Sequence, residues 1–135
     1  MIKTTGLTEI ILYVEDMNGM LSFYRDVMGL EISYPQNVTE YSKEHWVTLN
    51  AGSCVINLHS GGKRRLGEDS PKIVFGVRDI EGARGTLLRR EVRIGEIRVA
   101  APGKWVCDGY DPEGNPFSIT YQEQATAIHS NTPEE

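Results

Sequence analysis

Thr8-Glu9-Ile10-Ile11-Leu12-Tyr13-Val14-Glu15-Asp16 and Pro71-Lys72-Ile73-Val74-Phe75-Gly76-Val77-Arg78-Asp79 read alike. Each is a strand-like run closing on Val-x-Asp, and each is followed by a helix-like pattern. Val14 and Val77 lie 63 positions apart, as do Asp16 and Asp79. A constant offset of this kind marks one supersecondary unit used twice. A duplicated unit builds its site from matching positions in the two halves. Five residues before each valine the halves differ, with Glu9 in one and Lys72 in the other.

Working outward, Leu7 to Val14 has blurred alternation because Ile10, Ile11 and Leu12 are all apolar, which predicts a strand covered on both faces. Asp16 caps the next segment, where Met17, Met20, Leu21, Tyr24 and Met28 recur at helical spacing and Gly29 supplies the stop; a helix over 17–28 is expected. Strands are predicted at Glu31 to Pro35, His45 to Asn50 and Ser53 to Ser60, with Asn50-Ala51-Gly52-Ser53 as the turn between the last two. The second half repeats the order. A strand at Lys72 to Val77 leads to an Asp79-capped helix from Ile80 to Arg90, in which Gly82 and Gly85 each weaken helix propensity by up to about 1 kcal/mol. Strands near Gly95 to Val99, Lys104 to Asp108 and Phe117 to Gln122 follow, the last after the turn Asp111-Pro112-Glu113-Gly114-Asn115. The predicted class is α+β: one domain over 1–122 made of two βαβββ modules (7–60 and 71–122) joined by a linker at 61–70, with a polar tail at 123–135.

The 135 residues, 39% hydrophobic and 24% charged, suffice for a real core. A formal charge of −5 argues against a general nucleic-acid binder. Lys63-Arg64-Arg65, between Gly61-Gly62 and Gly67, reads as a solvated loop, or alternatively as a patch for an anionic ligand tail or partner. Cys54 and Cys107 sit in strand-like runs without CxxC spacing and are expected to be buried free thiols. No segment resembles a signal peptide and no run approaches the roughly 18 apolar residues of a membrane span, so no membrane partner and a cytoplasmic location are expected. Phosphate-cradling Gly loops, the Gly-x-Ser-x-Gly elbow and HExxH are absent.

Val14-x-Asp16, the phrase Ser22-Phe23-Tyr24-Arg25-Asp26-Val27-Met28-Gly29-Leu30, Val77-x-Asp79 and Asp111-Pro112-Glu113-Gly114-Asn115-Pro116 together resemble the vicinal oxygen chelate superfamily, also called the glyoxalase/bleomycin resistance/dioxygenase family. The resemblance runs over residues 7 to 122. It implies two βαβββ modules forming a cupped mixed sheet with helices on the convex side, assembled as a homodimer and binding a small molecule on the concave side. In metal-dependent relatives such as glyoxalase I, each module sends two ligands into the cup, one near the start of its first strand and one on its last. Those positions carry over to Glu9 and Asn57 in the first module and to Lys72 and Ser118 in the second.

A divalent ion needs several His, Glu or Gln ligands with one position open. Of this quartet Glu9 is a good ligand, Asn57 a weak one and Ser118 a poor one, while Lys72 sets a cation against a cation. No metal or other cofactor is therefore expected, with a divalent ion at an altered Glu9/His59 set, joined by His45, as the alternative. Glu9 and Lys72 suit each other as an ion pair, for which three readings stay open. The pair satisfies two otherwise costly charges, or forms the polar floor of a ligand site, or leaves Lys72 as a desolvated base or nucleophile.

His59 shares the face of Asn57 in a regular strand, either as an acid-base group or simply hydrogen-bonded near a rim. His45 and the tail residue His129 carry less weight. Trp46 and Trp105 are expected to be placed alike, packing the core or walling the cup against a planar or cationic ligand, with Tyr13 lining the same space. Tyr24 is expected in the core. Candidate ligand-binding residues are thus Glu9, Tyr13, Trp46, Asn57 and His59 in the first half, and Lys72, Trp105 and Ser118 in the second; Glu9, Lys72 and His59 are the catalytic candidates. The function expected first is metal-independent binding of a small organic molecule, of the sequestration or resistance type. The alternatives are a lyase, isomerase or dioxygenase using an altered metal site or metal-free acid-base chemistry, and a regulatory module that keeps only the fold.

Overall fold

The computed structural model describes residues 3, 5, 7, 9–62 and 71–123. The run Lys63-Arg64-Arg65, most of the expected linker, and the tail from residue 124 with His129 lie outside the described residues. The chain divides into two compact units: Met1–Asp69 with Asp111–Asn115, and Ser70–Tyr110 with Pro116–Glu135. The architecture is α+β with two mixed sheets, as the sequence predicts.

Unit 1 runs β1 (Glu9–Val14), α1 (Met17–Leu21), a π-helical turn (Ser22–Val27), β2 (Glu31–Tyr34), β3 (Trp46–Asn50) and β4 (Val55–Ser60). Its sheet order is β1-β4-β3-β2, with β1 parallel to β4 and the other neighbours antiparallel. The single regular helix expected over 17–28 is a rod whose second half widens: Met28 N–H reaches Phe23 carbonyl at 2.9 Å, five residues back. Asp16 caps the start by accepting Gly19 N–H at 3.0 Å. Gly29 ends it at φ 81°, with Leu30 N–H returning to Tyr24 carbonyl at 3.0 Å. Met17, Met20, Leu21, Phe23 and Tyr24 are buried, as are Val47, Leu49, Ile56 and Leu58 on one face of the sheet. These side chains make the unit's core.

Five residues of the Asp111–Asn115 turn also belong to this unit. Asp111 is 4% exposed, and its carboxylate accepts the Tyr24 hydroxyl at 2.8 Å, the Glu113 and Asn115 backbone N–H groups at 2.9 Å and the Asn115 side-chain amide at 2.9 Å. Burial, then the Asp111 charge, pushes the Tyr24 phenol far up, so it stays a donor. Glu113 in turn accepts Glu15 N–H at 2.9 Å and Asp16 N–H at 2.7 Å. The SFYRDVMGL phrase and the DPEGNP turn are therefore two halves of one buried polar joint.

Unit 2 runs β5 (Ile73–Gly76), α2 (Ile80–Arg89), β6 (Arg93–Ile94), β7 (Arg98–Ala101), β8 (Lys104–Tyr110) and β9 (Pro116–Gln122). The sheet path is β5-β9-β8-β6, with β7 also paired to β8. Asp79 repeats the cap of unit 1, accepting Gly82 N–H at 3.0 Å. A Cβ on Gly82 would stand 2.2 Å from Asp79 Oδ2, so this glycine makes room for the cap as well as weakening the helix. Ile80 and Leu87 are buried with Cys107, Phe117 and Ile119. The strand expected over Gly95 to Val99 is two short strands instead. Gly95 carbonyl accepts Arg84 Nε at 2.7 Å, and pairing with β8 resumes only at Arg98. Both cysteines are free; Cys107 is buried and Cys54 only half-buried. Among the described residues no helix is long and apolar enough to cross a membrane.

Candidate functional site

In unit 1 the parallel pairing of β1 with β4 sets Ile11 opposite Asn57 and Tyr13 opposite His59. The antiparallel pairing of β3 with β4 sets Trp46 opposite His59 and Thr48 opposite Asn57. Because side chains alternate across a strand, all six share one face with Glu9, opposite the core. Glu9, Ile11 and Tyr13 are exposed there, Tyr13 by 62%.

A chain of hydrogen bonds crosses this face. Trp46 Nε1–H donates to Thr48 Oγ1 at 3.1 Å, the Thr48 hydroxyl donates to Asn57 Oδ1 at 2.5 Å, and Asn57 Nδ2–H donates to Glu9 Oε1 at 2.7 Å. Every donor points the same way, so the chain ends on a carboxylate. Asn57, 4% exposed, is fixed at both ends of its amide. His59 Nδ1 lies 2.7 Å from Ser60 carbonyl oxygen. A carbonyl only accepts, so Nδ1 carries the proton and Nε2 of the neutral ring is an acceptor. The ring lies 5.0 Å from Tyr13 and 5.5 Å from Trp46, centroid to centroid.

Unit 2 has a corresponding arrangement of different character. Asp108 on β8 stands opposite Ser118 on β9, as Thr48 stands opposite Asn57. Its carboxylate accepts Ser118 Oγ–H at 2.5 Å, Lys72 Nζ at 3.2 Å and Arg98 Nη2 at 2.9 Å. Burial by itself raises the Asp108 pKa, but the hydrogen bonds from Ser118, Arg98 and Lys72 and the Lys72 charge outweigh it and hold the group at about 2. Each of the two expected ion-pair members thus has a partner in its own unit: Glu9 has Asn57, and Lys72 has Asp108.

The two tryptophans are not placed alike. Trp46 pairs with His59 on the face of Glu9, whereas Trp105 pairs with Tyr121, three residues from Ser118. The odd spacing turns Trp105 to the face opposite Lys72, Asp108 and Ser118, where it stacks on Tyr121 at 5.8 Å and 26°. Val106 occupies the position that matches Trp46. His45, one residue before Trp46, is likewise turned away from Glu9 and His59, its Nδ1 3.0 Å from Ser60 Oγ.

The residues at the four positions do not fit a divalent ion. The Asn57 oxygen already accepts from Thr48, Ser118 donates to Asp108, and Lys72 is a cation with donors only. Among the described residues no three His, Cys, Asp or Glu side chains are grouped to hold a metal. Thr48, Asp108 and Arg98 escaped the sequence reading. The first two were accessible from hairpin register, since each faces the fourth-strand candidate of its own half; Arg98 had no comparable signal.

A family model described as the Glyoxalase/Bleomycin resistance protein/Dioxygenase superfamily matches residues 6–119. Among solved structures, the chain is similar to SMU.1112c, at TM-score 0.72 and 21% identity over 87% of this chain and 99% of that one. It is similar to the glyoxalase family protein from Enterococcus faecalis at TM-score 0.69 and 18% identity, covering 86% and 97% of the two chains. It is also similar to lactoylglutathione lyase from Agrobacterium tumefaciens at TM-score 0.67 and 18% identity, covering 88% and 95%. At such identities the likeness is one of fold. No curated protein matches the sequence significantly.

Proposed function

The chain belongs to the Glyoxalase/Bleomycin resistance protein/Dioxygenase superfamily, and on that premise we propose that it binds a small organic molecule without a metal ion, in the manner of a sequestering or resistance protein. The observation that carries this reading is the bond chain from Trp46 through Thr48 and Asn57 to Glu9, which engages the amide oxygen a metal would need. What the face offers instead is acceptors and π surface: the Glu9 carboxylate, His59 Nε2 and the rings of Tyr13 and Trp46. A planar ligand carrying N–H donors or positive charge complements that set.

A second reading rests on His59. With its proton fixed on Nδ1, Nε2 suits a general base for a metal-free lyase or isomerase acting on a small oxygenated substrate.

Elemental analysis of the purified protein followed by thermal-shift titration tests the first reading. Planar organic cations should raise the melting temperature and divalent metals should not, with the response to the cations lost in Glu9→Ala. Stoichiometric metal that disappears in Glu9→Ala would overturn it. Turnover of an oxygenated substrate that is abolished in His59→Gln, with no metal present, would favour the second.

A further inference from the structure

We propose that the Lys72, Arg98 and Asp108 cluster of unit 2 is a binding site for a small oxyanion, a carboxylate or a phosphate ester group. The inference stands on unit 2 alone and is independent of the metal-free reading of unit 1.

One carboxylate there faces two cations. Lys72 Nζ meets Asp108 Oδ1 at 3.2 Å and Arg98 Nη2 meets Oδ2 at 2.9 Å. The Arg98 contact is through a single nitrogen, so the planar fork that would grip both oxygens of an oxyanion is not used on Asp108. Lysine has three N–H donors and arginine five, and each directs one at Asp108. The two side chains are 40% and 57% exposed, so their remaining donors are open to a solute. After pairing, one positive charge is left over.

Asp108 is itself held from below. Ser118, 1% exposed, donates to Oδ1, which fixes the carboxylate on the sheet face. A fixed carboxylate between two cations lets them stand side by side despite their mutual repulsion. As stabilisers, half-exposed ion pairs of this kind contribute little. As a receptor, the arrangement presents two preorganised cations, with Val74 on β5, two positions after Lys72 in the chain and 54% exposed, as an apolar shoulder for the organic part of the ligand.

The mechanism makes an unusual demand: Asp108 competes with the incoming anion for the same donors. Asp108→Asn keeps the size of the side chain and removes the competing charge, so it should bind oxyanion more tightly than the unaltered protein.

The test is NMR titration of the full chain at low ionic strength with inorganic phosphate and, separately, with acetate, following the backbone signals of residues 72, 98 and 108. Saturable shifts at these residues are expected. Phosphate alone responding assigns a phosphate ester, acetate alone a carboxylate, and both the shared oxyanion chemistry. Lys72→Met and Arg98→Gln should each weaken binding about tenfold, about 1.4 kcal/mol, and Asp108→Asn should tighten it by a similar factor. Circular dichroism confirms that each variant is folded. The absence of saturable shifts overturns the proposal. So does weakening by all three variants alike, which would make the cluster a structural support.

Discussion

Asn57 and Ser118 stand at matching points of matching hairpins. The first lies in a line of neutral donors that ends on the Glu9 carboxylate, and the second lies beneath a carboxylate gripped by two cations. The contrast extends over both units. Residues 9–62 and 111–115 of unit 1 carry nine acidic and two basic side chains, whereas residues 71–110 and 116–123 of unit 2 carry six and eight. Topology and caps have been kept through the duplication, while the sign of the polar face has been reversed. Backbone pairing constrains a strand position only to a face; the chemistry placed there is free to diverge.

The largest expected effect would break the comparison at its hairpin turns. Asp111→Ala strips four donors of their buried acceptor and should cost about 3 kcal/mol or more, read as a lowered urea midpoint. The matching turn of unit 1 has an exposed Asn50 accepting one N–H, from Gly52 at 3.0 Å, so Asn50→Ala should cost under about 1 kcal/mol. Equal losses would show that the buried joint contributes nothing special.

Next come two glycines that let backbone approach backbone. A Cβ on Gly109 would lie 2.5 Å from Arg93 carbonyl oxygen, and one on Gly62 would lie 2.6 Å from Tyr13 carbonyl carbon. Gly109→Ala and Gly62→Ala should each cost about 1–3 kcal/mol in the same measurement. A neutral outcome at either would mean that its unit relaxes more readily than the other.

The helix caps should behave alike and so sharpen what is shared. Asp16→Ala and Asp79→Ala each remove one side-chain acceptor from a 3.0 Å bond, and each should lower stability by about 1 kcal/mol. A cost confined to one unit would show that only one helix relies on its cap.

The smallest effect is electrostatic and belongs to unit 2. Asp108 is held at about 2 in the folded chain, below its ordinary 3.8. A depressed carboxylate contributes stability that is present above its ordinary pKa and is lost as pH falls from about 4 towards about 2. Since the side chain is 42% exposed, solvent screening keeps this contribution under about 1 kcal/mol. Urea midpoints across that window should fall in the parent and fall less in Asp108→Asn; identical slopes would remove the pH argument.

Much of the fold was legible because it rests on local signals. Val14-x-Asp16 and Val77-x-Asp79 located both first strands and both caps, and Gly29 located the end of the first helix. The π turn was not legible, because Met17 to Met28 fit ordinary helical spacing and the widening depends on which carbonyl Met28 N–H selects. The break at Gly95 was hidden for a similar reason, since it depends on Arg84 reaching a carbonyl eleven residues away. In the site, Glu9, Asn57 and His59 could be placed on one face by alternation. Trp105 could not be placed by analogy with Trp46, because a one-residue offset in the second hairpin reverses its face. Arg98 was invisible, as only the β7–β8 pairing brings it to Asp108.

That offset also gives each unit its own optical reporter. Trp46 lies on the polar face of unit 1 with its indole N–H engaged by Thr48, while Trp105 lies stacked on Tyr121 on the other side of the unit 2 sheet. In Trp105→Phe the remaining emission comes from the candidate binding face and follows occupancy there. In Trp46→Phe it comes from the stacked pair and follows the integrity of unit 2. Fluorescence can therefore separate ligand-induced change from unfolding in a chain whose two indoles would otherwise give one mixed signal.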